Sequence, residues 1–237
     1  MKLAVIEPAY FPQPFYFAKA LYADVIVWAD SFQFKKSSFI NRAPIKAVSG
    51  KQWLTVPVFS QITAGQKISD AVIDNHQNWQ NRHLRSLEVN YHQSPYYPFF
   101  ADAIADIINA RYQSISGLLA KSRDFLFSQL RIDQKLIPGS QLPPIQDRTE
   151  RLMAWLKECD CQSYVYYEHE RPLIDAPMVR AQGIGLFCCH YEPQEYHQVF
   201  DGFLPNLSVL DLLFNEGEQA VAVIQQGMSM RESFAAK

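Results

Sequence analysis

The chain has 237 residues, 48% of them apolar, and a formal net charge of −2. That length supports one substantial core, so one domain over 1–237 is expected, with self-association left open. A slightly acidic balance argues against general nucleic-acid binding, and no run approaches the roughly 18 apolar residues of a membrane span.

Leu3 to Ile6 form a short apolar run stopped at Pro8, the pattern of a strand buried on both faces of a parallel sheet. The start, M-K-L-A-V-I-E-P, lacks the longer apolar region of a signal peptide, so a cytoplasmic protein is expected. Gln13 to Tyr22 carries apolar residues at helical intervals with Pro14 near its start, and Asp24 to Ala29 reads as a second strand ending at Asp30. Together these make a β-α-β opening.

Residues 30 to 58 then hold a polar, cationic loop with Lys35, Lys36, Arg42, Lys46 and Lys51, ending in a strand-like run from Gln52 to Val58. Gln52–Val58 and Ile68–Asp74 alternate as strands, with Gln61–Gln66 between them, and the spacing predicts a hairpin covering the cationic loop. From Asn78 to about Arg131 the period becomes helical, broken at Ser94-Pro95, which predicts a helical insertion or lobe near 78–131. A strand at Lys135–Ile137 leads to a helix over Asp147–Glu158, with Asp147 as N-cap and Glu150 completing the capping box. Ser163–Tyr167 and Ile184–His190 read as strands, and Leu207–Asn215 and Glu218–Gln226 as helices separated by Gly217. The alternation predicts an α/β fold with a largely parallel sheet and flanking helices.

Three groups of residues carry candidate chemistry. In a parallel sheet the loops after the first two strands leave the same edge, so Glu7, Tyr10, Asp30 and Gln33 are expected to face one pocket; the structural alternative is a rigid aromatic turn. Lys36, Asn41, Arg42 and Lys46 combine point charges, a planar fork and an amide, a set suited to phosphate or carboxylate, with Trp53 and Phe39 excluding water; the alternative is a solvated loop. His83 or Asp74 is the expected proton carrier, with Asp30 as a third catalytic candidate. Ser208 and Asp211 form a capping-box variant ahead of an apolar helix, with Asp211 also placed to meet a loop arginine. Cys159, Cys161, Cys188 and Cys189 lack the C-x-x-C spacing of zinc sites and read as small apolar residues, so no metal is expected and no cofactor is indicated. A Gly-rich phosphate loop and a G-x-S-x-G elbow are both absent from the sequence.

The blocks E-P-A-Y-F-P, D-S-F-Q-F-K-K-S-S-F-I-N-R, Q-W-L-T-V-P-V and the C-terminal Y-H-Q-V-F with F-L-P-N-L-S-V-L-D-L-L-F-N-E-G resemble the WbqC-like family of bacterial proteins over nearly the whole chain. The sequence departs from the family pattern at Glu7, Phe15 and Ser31, where Gln, Gly and a second Asp are usual. The resemblance implies a transferase of O-antigen or other surface-polysaccharide synthesis, joining an amino acid or acyl group to a nucleotide-linked amino sugar. Its partner would then be an anionic small molecule, either a nucleotide sugar or an activated amino acid. A weaker likeness to nucleotidyltransferases implies adenylating chemistry, although Gln13-Pro14-Phe15-Tyr16 stands where their H-x-G-H motif would be. The third reading is a non-catalytic binding or assembly protein that presents Tyr10, Phe11, Trp53 and Tyr164–Tyr167 to a partner.

Overall fold

The computed structural model describes residues 1–59 and 65–232. Five parallel strands, β1 (Lys2–Ile6), β2 (Val25–Trp28), β5 (Lys135–Pro138), β6 (Ser163–Tyr167) and β7 (Gly185–Tyr191), join an antiparallel edge strand, β8 (Met228–Glu232), in the order β5-β2-β1-β6-β7-β8. Counting only the strands of this sheet, the order is 3-2-1-4-5-6, that of doubly wound nucleotide-binding sheets.

Alternate side chains along the parallel strands enter opposite cores, as the pleat requires. Ala4, Ile6, Ile26 and Trp28 pack with α1 (Phe15–Tyr22), α4 (Ile115–Gln129) and α8 (Ala220–Gln226). Leu3, Val25 and Val27 pack with α5 (Arg148–Glu158) and α6 (Ala176–Ala181). Burial on both faces explains why β1 and β2 read as continuous apolar runs. The N-cap of α5 is Asp147, whose carboxylate accepts from the Glu150 amide at 2.9 Å.

The expected helical stretch is α2 (Trp79–Tyr91), α3 (Tyr97–Asn109) and α4, broken at Ser94-Pro95 and again over 110–114. Helix α7 (Val209–Glu216) ends at Gly217, whose φ of 55° favours glycine and where a Cβ would lie 2.6 Å from the Tyr96 ring.

The predicted hairpin is corrected. Its true arms are β3 (Arg42–Ala47) and β4 (Gly50–Thr55), so half of the supposed cationic loop is a strand. Ile68–Asp70 is a 3-10 turn that buries Ile68, while Val58 and Ile73 make one isolated bridge. Residues 61–64 of the expected Gln61–Gln66 loop lie outside the described residues. Charges and Pro44 hid β3. Proline is tolerated because this sheet has two strands, and Lys46 is accommodated because its ammonium donates to the carbonyls of Phe200 (3.2 Å) and Gly202. The sequence reading also lacked α6 and β8.

Among the described residues no helix is long and apolar enough to cross a membrane.

Candidate functional site

The chain leaving β1 turns into α1 on one face of the sheet, and the chain leaving β6 passes through a 3-10 turn (Glu168–Leu173) to α6 on the other. Because neighbouring strands β1 and β6 send their connections to opposite faces, a crevice opens between their C-terminal ends, the place where open α/β sheets hold ligands. Two cavities occupy it. One, of about 250 Å³ on the α5 side, is lined by Phe32, Lys35, Arg148, Arg151 and Trp155. The other, of about 300 Å³ on the α1 side, is lined by Gln13, Phe15, Tyr16, Lys19 and Ser38–Ile40. Val5, Glu7, His169 and Glu170 line both.

The shared wall is built on fixed backbone. Lys19, almost wholly buried, places Nζ 2.9 Å from both oxygens of Glu170 and over the Tyr167 ring at 4.8 Å. Glu170 also accepts from the Tyr167 amide at 2.7 Å, which caps the turn after β6. The Tyr167 hydroxyl donates to the Phe15 carbonyl, so α1 and β6 are tied across the crevice. Lys19→Met should therefore cost about 2 kcal/mol, less than the penalty for breaking a fully buried pair because Glu170 is 24% exposed. Urea unfolding measures it, and an unchanged midpoint would mean that the pair is neutral.

Phe11, fully buried in the loop after β1, has φ of 38°. A bulky residue there stores about 1–3 kcal/mol of strain, and such strain clusters at functional sites. Its conformation is held by Ser208 Oγ donating to the Phe11 carbonyl (2.7 Å) and by the Val209 amide donating to Pro12 (2.8 Å). By contrast, the side chains of Glu7 and His169 are exposed and have no hydrogen-bond partner among the described residues, while His169 stacks on Tyr167 with centroids 5.6 Å apart.

Of the residues singled out in the sequence, the crevice takes Glu7, Lys35 and Phe39. Asp30 accepts from the amide (2.8 Å) and hydroxyl (2.7 Å) of Ser140, which ties the β2 loop to the segment after β5. Asp74 accepts from the His76 amide and the Gln77 side chain within its own turn. Gln33 and Lys36 are exposed on the segment after β2, and Gln33 bridges Lys67. Asn41 is buried and donates to the Val56 carbonyl at 3.0 Å. Arg42 lies 4.2 Å over the Trp53 ring, and Lys46 is buried against the 200–202 turn as described above. Asn41, Arg42 and Lys46 thus make separate contacts while Lys36 is exposed, and among the described residues neither crevice cavity is lined by any of the four.

Tyr10 and His83 do meet, but inside the core. His83 Nε2 lies 3.1 Å from the Thr55 carbonyl, which can only accept, so Nε2 carries the proton and Nδ1 accepts from the Tyr10 hydroxyl at 3.0 Å. Burial lowers the His83 pKa to about 4, so the ring is neutral at pH 7, and burial raises that of Tyr10. His83 and Trp53 also border a groove of about 580 Å³ between β4 and α2. That groove's Gln52, Ser86 and Asn90 hydrogen-bond one another, whereas Glu7 and His169 remain available at the crevice.

The aromatic partner surface is corrected as well: Tyr10, Phe11 and Tyr164–Tyr167 are buried, and Trp53 alone of that set is exposed, at 38%. Among the described residues Asp211 meets no loop arginine; it accepts from Tyr91 and Tyr196 at 2.7 Å each.

These contacts join the distinctive sequence blocks to one another. The Tyr10 amide donates to Phe39, Ser208 to Phe11, Asn41 to Val56, and Lys46 to the 200–202 turn. The model of the WbqC-like protein family matches residues 7–223, a span that contains every one of these contacts. The chain belongs to the WbqC-like protein family. This WbqC-like chain is 30% identical over 221 residues to Rv1507c of Mycobacterium tuberculosis, an uncharacterized protein, covering 92% of this chain and 95% of the relative. No solved structure matches it.

Sequence reasoning missed Arg148, Arg151, His169 and Glu170. The E-H-E-R that follows a buried aromatic strand was the available signal, but only the strand order places it beside Glu7. Among the described residues no group of three His, Cys, Asp or Glu could hold a metal ion. Cys159, Cys161 and Cys189 are buried thiols, and Cys188 is partly buried.

Proposed function

We propose that this protein is a transferase of bacterial surface-polysaccharide (O-antigen) synthesis that moves an amino acid or acyl group from an activated donor to the amino group of a nucleotide-linked amino sugar. The observation that carries this reading is a crevice of two cavities that meet at Glu7, His169 and Glu170. A two-substrate reaction needs two sites converging on one set of titratable groups. The sugar nitrogen bonds to the acyl carbon, the donor's leaving group departs with its electron pair, and the nitrogen's proton passes to His169. An exposed imidazole with no hydrogen-bond partner among the described residues has a ring nitrogen free to accept that proton. Glu7 would hold the substrate amine beside it.

The test is calorimetry with nucleoside-diphosphate amino sugars, followed by mass spectrometry of mixtures with aminoacyl and acyl thioesters. Binding is expected, with an acylated sugar as product, and His169→Ala should lower the turnover at least about a hundredfold. If no amino sugar binds and the protein instead forms a stable heterocomplex, the assembly reading replaces this one.

The strand order 3-2-1-4-5 favours a second reading, an adenylating enzyme, because such sheets hold nucleotides at this crevice. It predicts a melting shift with ATP and magnesium and pyrophosphate release when a carboxylic acid is added.

A further inference from the structure

We infer that the α5 side of the crevice is the phosphate subsite, in which Lys35, Arg148 and Arg151 hold the phosphates of a nucleotide. This rests on the two-cavity transferase reading for its substrate, but the residues that carry it are separate from the shared wall. Arg148 and Arg151 lie three apart on the first turns of α5, so both project from one face of the helix toward the same cavity, and Lys35 approaches from the segment after β2. Neither Lys35 nor Arg148 makes an ion pair among the described residues.

Arg151 is already oriented. Its guanidinium lies 5.1 Å from the Phe32 ring and 5.6 Å from the Trp155 ring, and Nη1 donates to the Ile145 carbonyl at 2.9 Å. The two rings are themselves stacked, 6.2 Å apart. Both guanidiniums line one cavity; burial and then Arg148 lower the Arg151 pKa, and the N-cap carboxylate of Asp147 opposes that. An anion in that cavity would face both cations, and a planar fork fixed in advance loses little freedom on binding.

Two carboxylates also line this cavity. Glu170 is compensated by Lys19, and Glu7 sits where the α1-side cavity joins, so cations dominate the α5 end. With phosphates fixed there, the sugar of the nucleotide extends toward Glu7 and His169, and the acyl donor enters from the α1 side beside Gln13, Tyr16 and Phe39.

The experiment titrates inorganic pyrophosphate and UDP into the wild type, Arg148→Gln, Lys35→Gln and, as a control, Lys157→Gln at the far end of the same helix. Binding to the wild type is expected, weakened about tenfold by each of the first two changes and unchanged by the control. Arg148 and Lys35 are exposed, so all variants should melt with the wild type. Failure of both probes to bind the wild type, or equal affinity in Arg148→Gln and Lys35→Gln, overturns the inference. The two proposals fail separately. If pyrophosphate binds through Arg148 but no amino sugar is acylated, the subsite stands and the transferase reading falls. If an amino sugar is acylated with Arg148→Gln and Lys35→Gln fully active and unchanged in KM, the reverse holds.

Discussion

Replacing Asp211 with alanine should destabilise the protein by about 3–5 kcal/mol, the range for removing one partner of a buried polar network. Asp211 is fully buried on the first turn of α7 and accepts from Tyr91 and Tyr196, while the Tyr91 hydroxyl in turn accepts from the Lys46 amide at 2.8 Å. Alanine would strand two buried hydroxyls and leave a void, whereas Asp211→Asn keeps an acceptor and should lose about 1–2 kcal/mol. The pH dependence has a definite sign. Burial raises the Asp211 pKa above the unfolded value of about 3.9, so its stabilising contribution is present below that pH and is lost as pH rises through the folded value. The alanine variant's deficit is therefore largest in acid and narrows toward neutral pH. Urea unfolding of both variants across that range measures it, and a deficit that widens with pH would contradict the assignment.

His83 should impose the opposite slope. Burial lowers its pKa to about 4, against about 6.5 in the unfolded chain, so the folded state resists the proton that the unfolded state accepts. Its contribution is present above about pH 6.5 and is lost as pH falls through about 4, a change of about 3 kcal/mol at completion. His83→Gln removes the titration, so the wild type should lose about 3 kcal/mol more than the variant between these limits. Parallel stability curves for the two proteins would show that His83 does not titrate differently on folding. Because both ring nitrogens are engaged by Tyr10 and Thr55, the same variant should leave ligand affinity at the crevice unchanged.

The sheet was legible because its strands are short, apolar and separated by helices of the right period. Leu3–Ile6, Asp24–Ala29 and Ser163–Tyr167 each fall within a residue or two of an observed strand. The hairpin was not, because Arg42 and Lys46 look like solvent residues until their partners are known. Lys46 is buried only because a turn more than 150 residues later supplies its carbonyls. The same reason limited the site. Local chemistry pointed to the cationic run at 35–51, yet a crevice is defined by which strands are neighbours. That Glu7 would line the crevice was legible because it follows the first strand; placing His169 there needed the knowledge that the fourth strand of the sheet lies beside it. Arg148 and Arg151 resemble ordinary polar-face residues of a helix, and only the packing of α5 beside Phe32 places them along a cavity.

The segment after β2 gives Lys35 to one cavity and Ser38, Phe39 and Ile40 to the other. One short piece of backbone is thus a wall common to both compartments. A ligand on one side that shifted this wall would thereby change the affinity of the other side for its own ligand. Whatever factor the first changes the affinity of the second, the second returns to the first.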